Sequence, residues 1–482
     1  MVFDLARLRP FAFGSLGLSA LGVWYGTGLH PMWWVTWLAP VPVLHFAYRA
    51  GTGPACAATF GAWFLGSLNL CAYFRSVLAI PFLPVALFLI IPAMAFVLAV
   101  LLSRALVRRG SLTGAALAVP ATWVSFEYVV SVFGLNGTAG NLAYTQVDCP
   151  TLLQLASLTG LWGISFVVLL VPTSLAVALS APRAKAPLVR VLAFVLAVLA
   201  GVACYGTWRL HRPRDAGDTV TVGLVATDVP ARIFPRTRED ALETLRLYVE
   251  QVDPLARRGA EVIVLPEKLL SVTETGYAKV TELFQDAAIR NHVRVIVGLA
   301  RDGDPLDHNV ALVFSPNGSV EAVYEKHHLV PQFEDRFHAG ADRTVLRRET
   351  VPWGVQICKD MDFPPLSRDY AAEGVGLMLV PAWDFDQDRW LHGRMAVVRG
   401  VEGGFCVARA AKQGLLTVSD ECGRILAEER SDSAPFATLT ARVAVTHRAT
   451  IYSRCGDWLA WISLTVAALA LASLIRRPRQ PA

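Results

Sequence analysis

The feature that most constrains this chain is a series of apolar segments, each about long enough to cross a membrane. A helix needs about 20 apolar residues to span a bilayer. The sequence offers eight candidate segments, at residues 10–28, 32–48, 55–74, 81–103, 114–133, 160–180, 188–208 and 457–475. Only 17% of the 482 residues are charged, and the mean hydropathy is +0.44. These values exclude an ordinary soluble globule and predict about eight membrane helices.

Residues 211–456 differ from the rest, because they have the charge density and turn residues of a soluble α/β domain. The sequence therefore predicts three parts. Residues 1–210 are a membrane domain of seven transmembrane helices, 211–456 a soluble domain, and 457–482 a last membrane helix with a basic tail. The first apolar segment is predicted to be a retained anchor, since no clear small-residue cleavage site precedes the next one.

The positions of Lys and Arg predict the orientation of the chain, because these residues favour the cytoplasmic side in short loops. On one side lie Arg7, Arg9, Arg49, Arg104, Arg108, Arg109, Arg183, Lys185, Arg190, Arg476, Arg477 and Arg479. The other side has Arg75, and residues 132–157 contain no Lys or Arg. Both termini are therefore expected in the cytoplasm and the 211–456 domain outside. Because this bias accounts for most of the net charge of +5, no nucleic-acid partner is expected.

The cysteines do not predict a metal site or a disulfide framework. Eight cysteines are spread along the chain without CxxC spacing and without clusters of histidine. Neither a zinc site nor a dense set of disulfides is expected from such a pattern.

Within the soluble domain, short β-branched runs alternate with longer amphipathic ones. Two hairpins are predicted, turning at residues 315–318 (SPNG) and 421–423 (ECG). The remaining runs predict strands separated by helices at 239–258, 276–292, 364–373 and 388–402. Such alternation is typical of α/β layering around a sheet. Ligands commonly bind at the carboxyl ends of buried strands of this kind.

Three polar residues stand at or just beyond the ends of predicted strands. Glu267 ends EVIVLPE, Lys326 ends SVEAVYEK and Cys358 ends VPWGVQIC. A thiol attacks acyl carbonyls as a thiolate, so it needs a base or a positive charge nearby. A carboxylate can take the proton, and an ammonium can stabilise both the thiolate and a tetrahedral oxyanion. Together the three residue types predict acyl-transfer chemistry.

Each of the three residues also has an ordinary structural interpretation when it is taken alone. A lone strand cysteine such as Cys358 is commonly a small buried hydrophobe. Glu267 could be a turn or surface carboxylate, and Lys326 could be a solvated lysine. The occurrence of all three together favours the functional interpretation.

The order Glu, Lys, Cys and its flanking motifs resemble the nitrilase, or carbon-nitrogen hydrolase, superfamily. The motifs are LPEK at 265–268, HNVALVFSPNG at 308–318, KHHLVPQFE at 326–334 and VPAWDFD at 380–386. With the apolar segments and GNLAYTQVDCPTLLQLASLTGLWGISF at 140–166, the whole chain resembles the apolipoprotein N-acyltransferases. The resemblance implies a multi-pass α-helical membrane bundle of about eight helices plus an α/β nitrilase-like αββα sandwich domain.

The resemblance also implies roles for individual residues. Cys358 would be the nucleophile, Glu267 the base and Lys326 the cation that stabilises the oxyanion. Glu334 would support the site, although a surface loop carboxylate is an alternative. Asn309 matches an asparagine of the family's hairpin, with a turn or strand-edge amide as the alternative. Trp383 matches an aromatic residue near the site, but packing or membrane anchoring is equally compatible with its position.

The sequence departs from the family immediately after the nucleophile. Lys359 and Asp360 stand where the family usually has an aromatic residue and a glutamate. Both are candidate supporting or substrate-binding residues, and the backbone N–H of Lys359 is a candidate second oxyanion donor. The loop after Phe333 also lacks the family's usual glycine beside its Glu. These departures affect the expected substrate more than the acyl-enzyme step.

The function implied by the resemblance is acyl transfer in the bacterial inner membrane. Cys358 would take an acyl chain from a phospholipid as a thioester, and the N-terminal amine of a diacylglyceryl-cysteine lipoprotein would accept it. The catalytic domain is expected on the periplasmic or outer side, the protein is expected to be a monomer, and no metal or organic cofactor is expected. Two alternatives remain, a membrane-tethered amidase that uses water and a catalytically silent membrane scaffold. A transporter is disfavoured because the ionisable residues cluster outside the apolar segments.

Overall fold

The computed structural model describes residues 5–181, 184–212 and 218–475. The chain divides into two compact units. The first contains the chain up to residue 134, residues 138–210 and the chain from 455 onward, and the second contains 135–137 and 211–454. The predicted basic tail after residue 475 and Arg183 lie outside the described residues. The side of the membrane on which each part lies stays a prediction.

The first unit is built from helices. In chain order they are α1 (Leu5–Gly26), α2 (Val41–Arg49), α3 (Thr52–Ser67), α4 (Phe82–Arg108), α5 (Leu112–Phe133), α6 (Pro150–Leu153), α7 (Ala156–Thr159), α8 (Leu161–Ser180) and α9 (Lys185–His211), with a last helix at Trp458–Ile475. Among the described residues, six segments are long and apolar enough to cross a membrane: Thr52–Val77, Phe82–Arg108, Leu112–Phe133, Leu161–Ser180, Lys185–His211 and Trp458–Ile475. The predicted membrane bundle is confirmed, but its count of eight is not.

The predicted segment 32–48 differs most from the structure. It contains a 3-10 turn at Val35–Trp37 and the nine-residue helix α2. A helix of that length spans about 14 Å, less than half of the hydrocarbon core of a bilayer. Pro40 precedes α2 and a second proline lies in its first turn. Proline favours helix starts and interrupts an ongoing helix, so the apolar run is broken into two short pieces.

The second unit contains two β-sheets and the helices that cover them. Its strands are β1 (Asp218–Ala226), β2 (Val262–Val264), β3 (Ser271–Val272), β4 (Arg294–Arg301), β5 (Asp307–Phe314), β6 (Val320–Glu325), β7 (Phe337–His338), β8 (Thr344–Leu346), β9 (Trp353–Val355), β10 (Leu377–Trp383), β11 (Cys406–Lys412), β12 (Leu415–Ser419), β13 (Ile425–Arg430) and β14 (Ala437–Val445). Its helices are α10 (Pro230–Ile233), α11 (Arg238–Arg257), α12 (Glu274–Asn291), α13 (Pro364–Ala372), α14 (Arg389–Gly403) and α15 (Ile451–Cys455).

The strands form one eight-stranded and one six-stranded sheet. The first has the order β14-β1-β2-β4-β5-β6, with β3 beside β4 and β7 beside β5, and the second has the order β13-β12-β11-β10-β9-β8. Val264 and Val313 of the first sheet share a buried cluster with Val355 and Leu379 of the second, so the sheets pack face to face. Separate apolar clusters join the first sheet to α11 and α12 and the second to α13 and α14. The predicted αββα sandwich is confirmed.

The predicted hairpin at 315–318 places two site residues beside each other. β5 and β6 are antiparallel, with Ala311 opposite Tyr324. Just beyond β6, the Lys326 N–H donates to the Asn309 carbonyl at 2.9 Å. Because side chains alternate between the faces of a strand, Asn309 and Lys326 lie on the face that packs against the second sheet. The pairing register therefore fixes both side chains in the interior between the sheets.

Candidate active site

Lys326 lies at the centre of a fully buried group of charges. Its Nζ is 2.8 Å from Glu267 Oε1 and 2.8 Å from Glu334 Oε2, and its side chain has no exposed surface. Burial alone would lower the pKa of Lys326, but the negative charges of Glu267 and Glu334 raise it well above its usual value. Lys326 is therefore held as an ammonium ion.

Glu267 lies in the loop after β2, which pairs with β1 in parallel. β2 ends at Val264, and Glu267 follows three residues later, where its N–H donates to the Ala382 carbonyl at 3.3 Å. Ala382 belongs to β10 of the second sheet, so this bond ties the loop to the end of a strand in the other sheet. Glu267 Oε1 accepts from Lys326 and from Asn309 Nδ2, the latter at 2.6 Å.

Asn309 and Glu334 complete the charged group, and both side chains are buried. Asn309 Nδ2 donates to Glu267 and also to Glu334 Oε1 at 2.7 Å. Glu334 Oε2 additionally accepts from the Val330 N–H at 2.8 Å. Burial would raise the pKa of Glu334, but Lys326 and Lys268 hold it well below its usual value. Glu334 is therefore not the surface loop carboxylate that was its alternative, and Asn309 lies within β5 with a buried side chain rather than in a turn.

Cys358 adopts a strained backbone conformation beside this group. The sequence placed it at the end of a strand, but β9 ends at Val355 and Cys358 begins a 3-10 helix, Cys358–Asp362, with φ +43°. Such a left-handed conformation is costly for a residue with a side chain and is common at functional sites. Its Sγ donates to the Trp383 carbonyl at 3.4 Å.

The resting state of Cys358 is set by burial and by opposing charges. Burial and the negative charge of Glu267 raise the pKa of Cys358 well above its usual value, while Lys326 acts in the opposite direction. The thiol is therefore protonated at rest, and the nearby carboxylate is suited to removing its proton when it attacks.

Asp360 has no exposed surface and uses both carboxylate oxygens to hold neighbouring loops. Oδ1 accepts from the N–H groups of His327 at 3.2 Å and His328 at 2.8 Å. Oδ2 accepts from the Tyr324 hydroxyl at 2.7 Å and the Ile357 N–H at 3.1 Å. Asp360 thus ties the residues that follow Lys326 to the turn that carries Cys358. This geometry supports a positioning role.

Lys359 is tethered within the same unit. Its Nζ donates to Asn136 Oδ1 at 2.8 Å and lies 3.8 Å from Asp362 Oδ2. Burial lowers the pKa of Lys359, and Asp362 opposes this effect. Beside these contacts, a Cβ on Gly137 would lie 2.6 Å from the Asp362 carbonyl oxygen, so the 135–137 segment packs closely here. The ammonium that replaces the family's aromatic residue is therefore engaged by an amide and a carboxylate.

Two lysines that were not predicted as site residues complete the site. Lys268 Nζ donates at 2.5 Å to Glu334 Oε1, whereas Lys326 contacts Oε2. Lys412 is buried, donates to the Lys268 carbonyl at 2.8 Å and lies 3.5 Å from the centroid of the Trp383 ring. Lys268 could have been identified from the sequence, because it directly follows Glu267. Lys412 ends β11, a position where a lysine is commonly solvated, so no sequence signal marked it.

A second buried ion pair lies in the neighbouring strands. Arg409 forms a bidentate pair with Asp384, at 2.9 Å from Nη1 to Oδ2 and 2.5 Å from Nη2 to Oδ1. Asp384 directly follows Trp383. The charges of Asp384 and Arg409 both act on the pKa of the Cys358 thiol, in opposite directions. The pair fixes the end of β10, where the Trp383 carbonyl accepts from the Cys358 thiol.

Exposed aromatic residues lie beside Trp383 and in the loops of the site. The ring of Phe234 lies 5.7 Å from that of Trp383, and Phe333 and Phe385 are 4.9 Å apart between ring centroids. Phe234 and Phe333 are 59% and 46% exposed. Trp383 Nε1 donates to Gln413 Oε1 at 2.8 Å, which fixes its ring. These aromatic residues provide apolar surface suited to a hydrocarbon chain.

The site contains a carboxylate, an ammonium and a thiol, which are suited to acid–base and nucleophilic chemistry. Its carboxylates are occupied by lysine and asparagine donors. Within the described part of the chain, the groups of residues with metal-ligand spacing are His308, Glu325 and His338, and Asp420, Glu421 and Cys422. Neither group contains Glu267, Lys326 or Cys358.

Two family models together match most of the chain. Residues 19–174 match the apolipoprotein N-acyltransferase N-terminal domain, and residues 225–435 match carbon-nitrogen hydrolase. A curated relative from Geobacter metallireducens, named apolipoprotein N-acyltransferase, is 27% identical and the alignment covers 77% of each chain. A relative of the same name from Haemophilus ducreyi is 24% identical over 98% of this chain and 97% of its own.

The chain joins an apolipoprotein N-acyltransferase N-terminal domain to a carbon-nitrogen hydrolase domain. The carbon-nitrogen hydrolase match includes Glu267, Lys326 and Cys358, and the N-terminal match includes helices α2 to α5. Among solved structures, an amidase from Nesterenkonia sp. is 20% identical, covers 48% of this chain and 93% of its own, and has a TM-score of 0.42. As in the apolipoprotein N-acyltransferases, one chain here combines a membrane domain with a carbon-nitrogen hydrolase domain.

Proposed function

We propose that this protein transfers an acyl chain from a phospholipid, through a thioester on Cys358, to the N-terminal amine of a diacylglyceryl-cysteine lipoprotein. The observation that carries the proposal is the buried group in which Lys326 contacts Glu267 and Glu334 at 2.8 Å, in the same interior as the Cys358 thiol. Relatives that align along nearly the whole chain are named apolipoprotein N-acyltransferase, which supports this choice of substrates.

In the first half-reaction, Cys358 attacks the ester carbonyl of the phospholipid. Glu267 takes the thiol proton as the S–C bond forms, and the Lys326 ammonium stabilises the oxyanion, assisted by the Lys359 backbone N–H. The C–O bond to the glycerol then breaks, and Glu267 returns the proton to the leaving oxygen. The products are a lysophospholipid and an acyl-enzyme.

In the second half-reaction, the acceptor amine attacks the thioester carbonyl. Glu267 takes a proton from the attacking nitrogen, the C–N bond forms and the C–S bond breaks. The proton passes to the departing sulfur and regenerates the thiol. Because the pKa of Cys358 is raised, the departing thiolate readily takes up this proton.

The apolar surroundings favour a lipid donor. Moving an acyl chain into water costs about 0.8 kcal/mol per CH₂, so the chain is expected to react while it stays in apolar surroundings. Phe234 and Phe333 expose rings at the site, and the first unit supplies membrane helices.

We propose that the enzyme acts as a monomer in the bacterial inner membrane with its catalytic unit outside. Alkaline phosphatase fused within the unit should be active, and an inactive fusion would contradict this orientation.

The acyl-enzyme provides the direct test of the function. Incubation with phospholipid labelled in its acyl chain should leave a hydroxylamine-sensitive label on the wild type and none on Cys358→Ala. Cys422→Ala is the matched control, since Cys422 is also buried, and it should keep the label. Addition of a diacylglyceryl-cysteine peptide should discharge the label onto the peptide amine. A label on Cys358→Ala would overturn the nucleophile assignment, and discharge only to water would favour the amidase alternative.

A further inference from the structure

Three potential metal ligands meet on the side of the first sheet away from the active site. His308 is in β5, Glu325 ends β6 and His338 is in β7. Glu325 Oε1 lies 2.5 Å from His308 Nδ1 and 3.2 Å from His338 Nδ1. One ligand atom from each of the three residues lies within 4.8 Å of the others. They come from three strands, so the fold rather than local sequence brings them together.

Strand pairing fixes the positions of these residues. His308 and His338 are direct register partners in the parallel β5–β7 pair. Glu325 stands opposite Val310, two positions from His308, and therefore on the same face. The next residue of each strand, Asn309 or Lys326, points to the opposite face and into the active site. The same strand pairings therefore position the three ligands and two residues of the active site.

The spacing of the ligand atoms suits a small transition-metal ion. A tetrahedral zinc ion with ligands at 2.0–2.1 Å holds them about 3.3 Å apart. The His338–Glu325 distance of 3.2 Å already has this value, and the His308–Glu325 distance of 2.5 Å needs to open by less than about 1 Å. The His338 side chain is 54% exposed, so water can reach a fourth position.

Two arginines in neighbouring positions of the chain and sheet contact other partners. Arg301 is the register partner of His308 in β4, but its guanidinium lies over the Tyr277 ring at 5.8 Å. Arg336 is paired with Asp307 at 3.0 Å. Among the described residues, the ion-pair partners of Glu325 are His308 and His338, so a metal ion there would displace neither arginine.

We propose that His308, Glu325 and His338 form a binding site for a divalent transition-metal ion of the zinc class. Two imidazoles and one carboxylate favour zinc, cobalt or nickel over magnesium and calcium, which prefer all-oxygen sites. The ion would join β5, β6 and β7 directly behind Asn309 and Lys326. This inference is independent of the substrate proposed above and concerns a part of the fold outside the active site.

The test is titration of tag-free, chelator-stripped full-length protein in detergent with Co²⁺, followed by its visible absorption. The wild type should bind one equivalent, Zn²⁺ should displace it, and Mg²⁺ should not. His338→Ala and Glu325→Gln should each weaken Co²⁺ binding by at least about tenfold, because each removes one of three ligands. His292→Asn is the matched control, since His292 is an exposed histidine of the same unit in a left-handed conformation that asparagine tolerates.

The outcomes separate a metal site from a hydrogen-bonded group. Binding that is lost in both ligand variants and kept in His292→Asn supports the proposal. Absence of saturable Co²⁺ absorption in the wild type, or equal binding by His338→Ala, would overturn it. Because His338 is largely exposed, His338→Ala should fold. An unchanged melting temperature without metal verifies this, and Zn²⁺ should raise that temperature only in proteins that keep the site.

Discussion

The Lys412 ammonium lies 3.5 Å from the centroid of the Trp383 ring. Through its bond to the Lys268 carbonyl, Lys412 connects the loop after Glu267 to the residue whose carbonyl accepts the Cys358 thiol. A cation over an indole face is favourable, but burial lowers the pKa of Lys412 to about 7. Lys412 therefore contacts both the loop after Glu267 and Trp383, although its pKa lies close to neutral pH.

Replacing Lys412 by methionine should change how stability depends on pH. Between pH 7 and 10.5, the unfolded wild type retains a proton that the folded state has lost, so wild-type stability should rise with pH. The contribution of one such group is at most about 1.4 kcal/mol per pH unit. Lys412→Met should lack this part of the slope, as measured by thermal unfolding in detergent from pH 7 to 9. The exposed Lys279→Met is the control, and equal slopes in wild type and Lys412→Met would contradict the prediction.

Replacing Glu267 by glutamine should separate thiol reactivity from acyl transfer. Glu267 helps to raise the pKa of Cys358, and Lys326 opposes it. With the carboxylate removed and Lys326 retained, the thiol pKa should fall, so alkylation of Cys358 by iodoacetamide at pH 7 to 8 should become faster. Formation of the acyl-enzyme should be lost, because the base is gone.

Mass spectrometry of the Cys358 peptide, with the alkylation rate followed against pH, measures this effect. The inflection should move to lower pH in Glu267→Gln and stay in place in the exposed Glu282→Gln. An inflection that moves to higher pH would show that Glu267 does not raise the thiol pKa.

Asn309→Asp should destabilise the site because Asn309 donates to both Glu267 and Glu334. Aspartate cannot donate, and it adds a third carboxylate to the same interior. Each buried acceptor left without its donor costs about 1–3 kcal/mol, so acyl-enzyme formation should fall by about 100-fold or more and the melting temperature should drop. Asn317→Asp is the control, since Asn317 only accepts bonds in a turn and should change stability by less than about 0.5 kcal/mol. Equal effects of the two variants would contradict this role of Asn309.

Asp360→Asn should be more harmful than Tyr324→Phe. The hydroxyl of Tyr324 supplies one of the hydrogen bonds to Asp360, worth about 1 kcal/mol. Asparagine instead places an amide donor among the N–H groups of His327, His328 and Ile357. Chemical unfolding and acyl-enzyme formation, measured on both variants, should show the larger losses in Asp360→Asn. Similar small losses would mean that the loop after Lys326 does not depend on Asp360.

Glu267, Lys326 and Cys358 could be chosen as candidates because they follow predicted strand ends, and the structure brings them into one interior. Their catalytic roles stay predictions. Local backbone detail could not be predicted in the same way. Cys358 lies three residues beyond β9 with a positive φ, a conformation that only the packed surroundings impose. The segment 32–48 has the composition of a membrane helix, but its prolines leave it in short pieces.

The partners of the predicted residues were harder to foresee, since they depend on which strands become neighbours. Asp360 looked like a shortened form of the family's glutamate, whereas its oxygens bind N–H groups from a loop more than 30 positions away. Arg409 and Lys412 belong to β11 and Asp384 directly follows β10, and both strands have the sequence of ordinary buried strands. Hydrophobic periodicity identifies such strands but does not indicate which polar side chains meet between two sheets.

The alternation along β5 and β6 sets a limit on changes in chain length. His308 and Asn309, like Glu325 and Lys326, are sequence neighbours that face opposite sides of one sheet. Deleting or inserting a single residue within either strand would exchange the two faces, so a histidine or a carboxylate would enter the interior in place of the amide or the ammonium. Natural variants and engineered chimeras should therefore show substitutions in these strands, and insertions only in the turn that joins them.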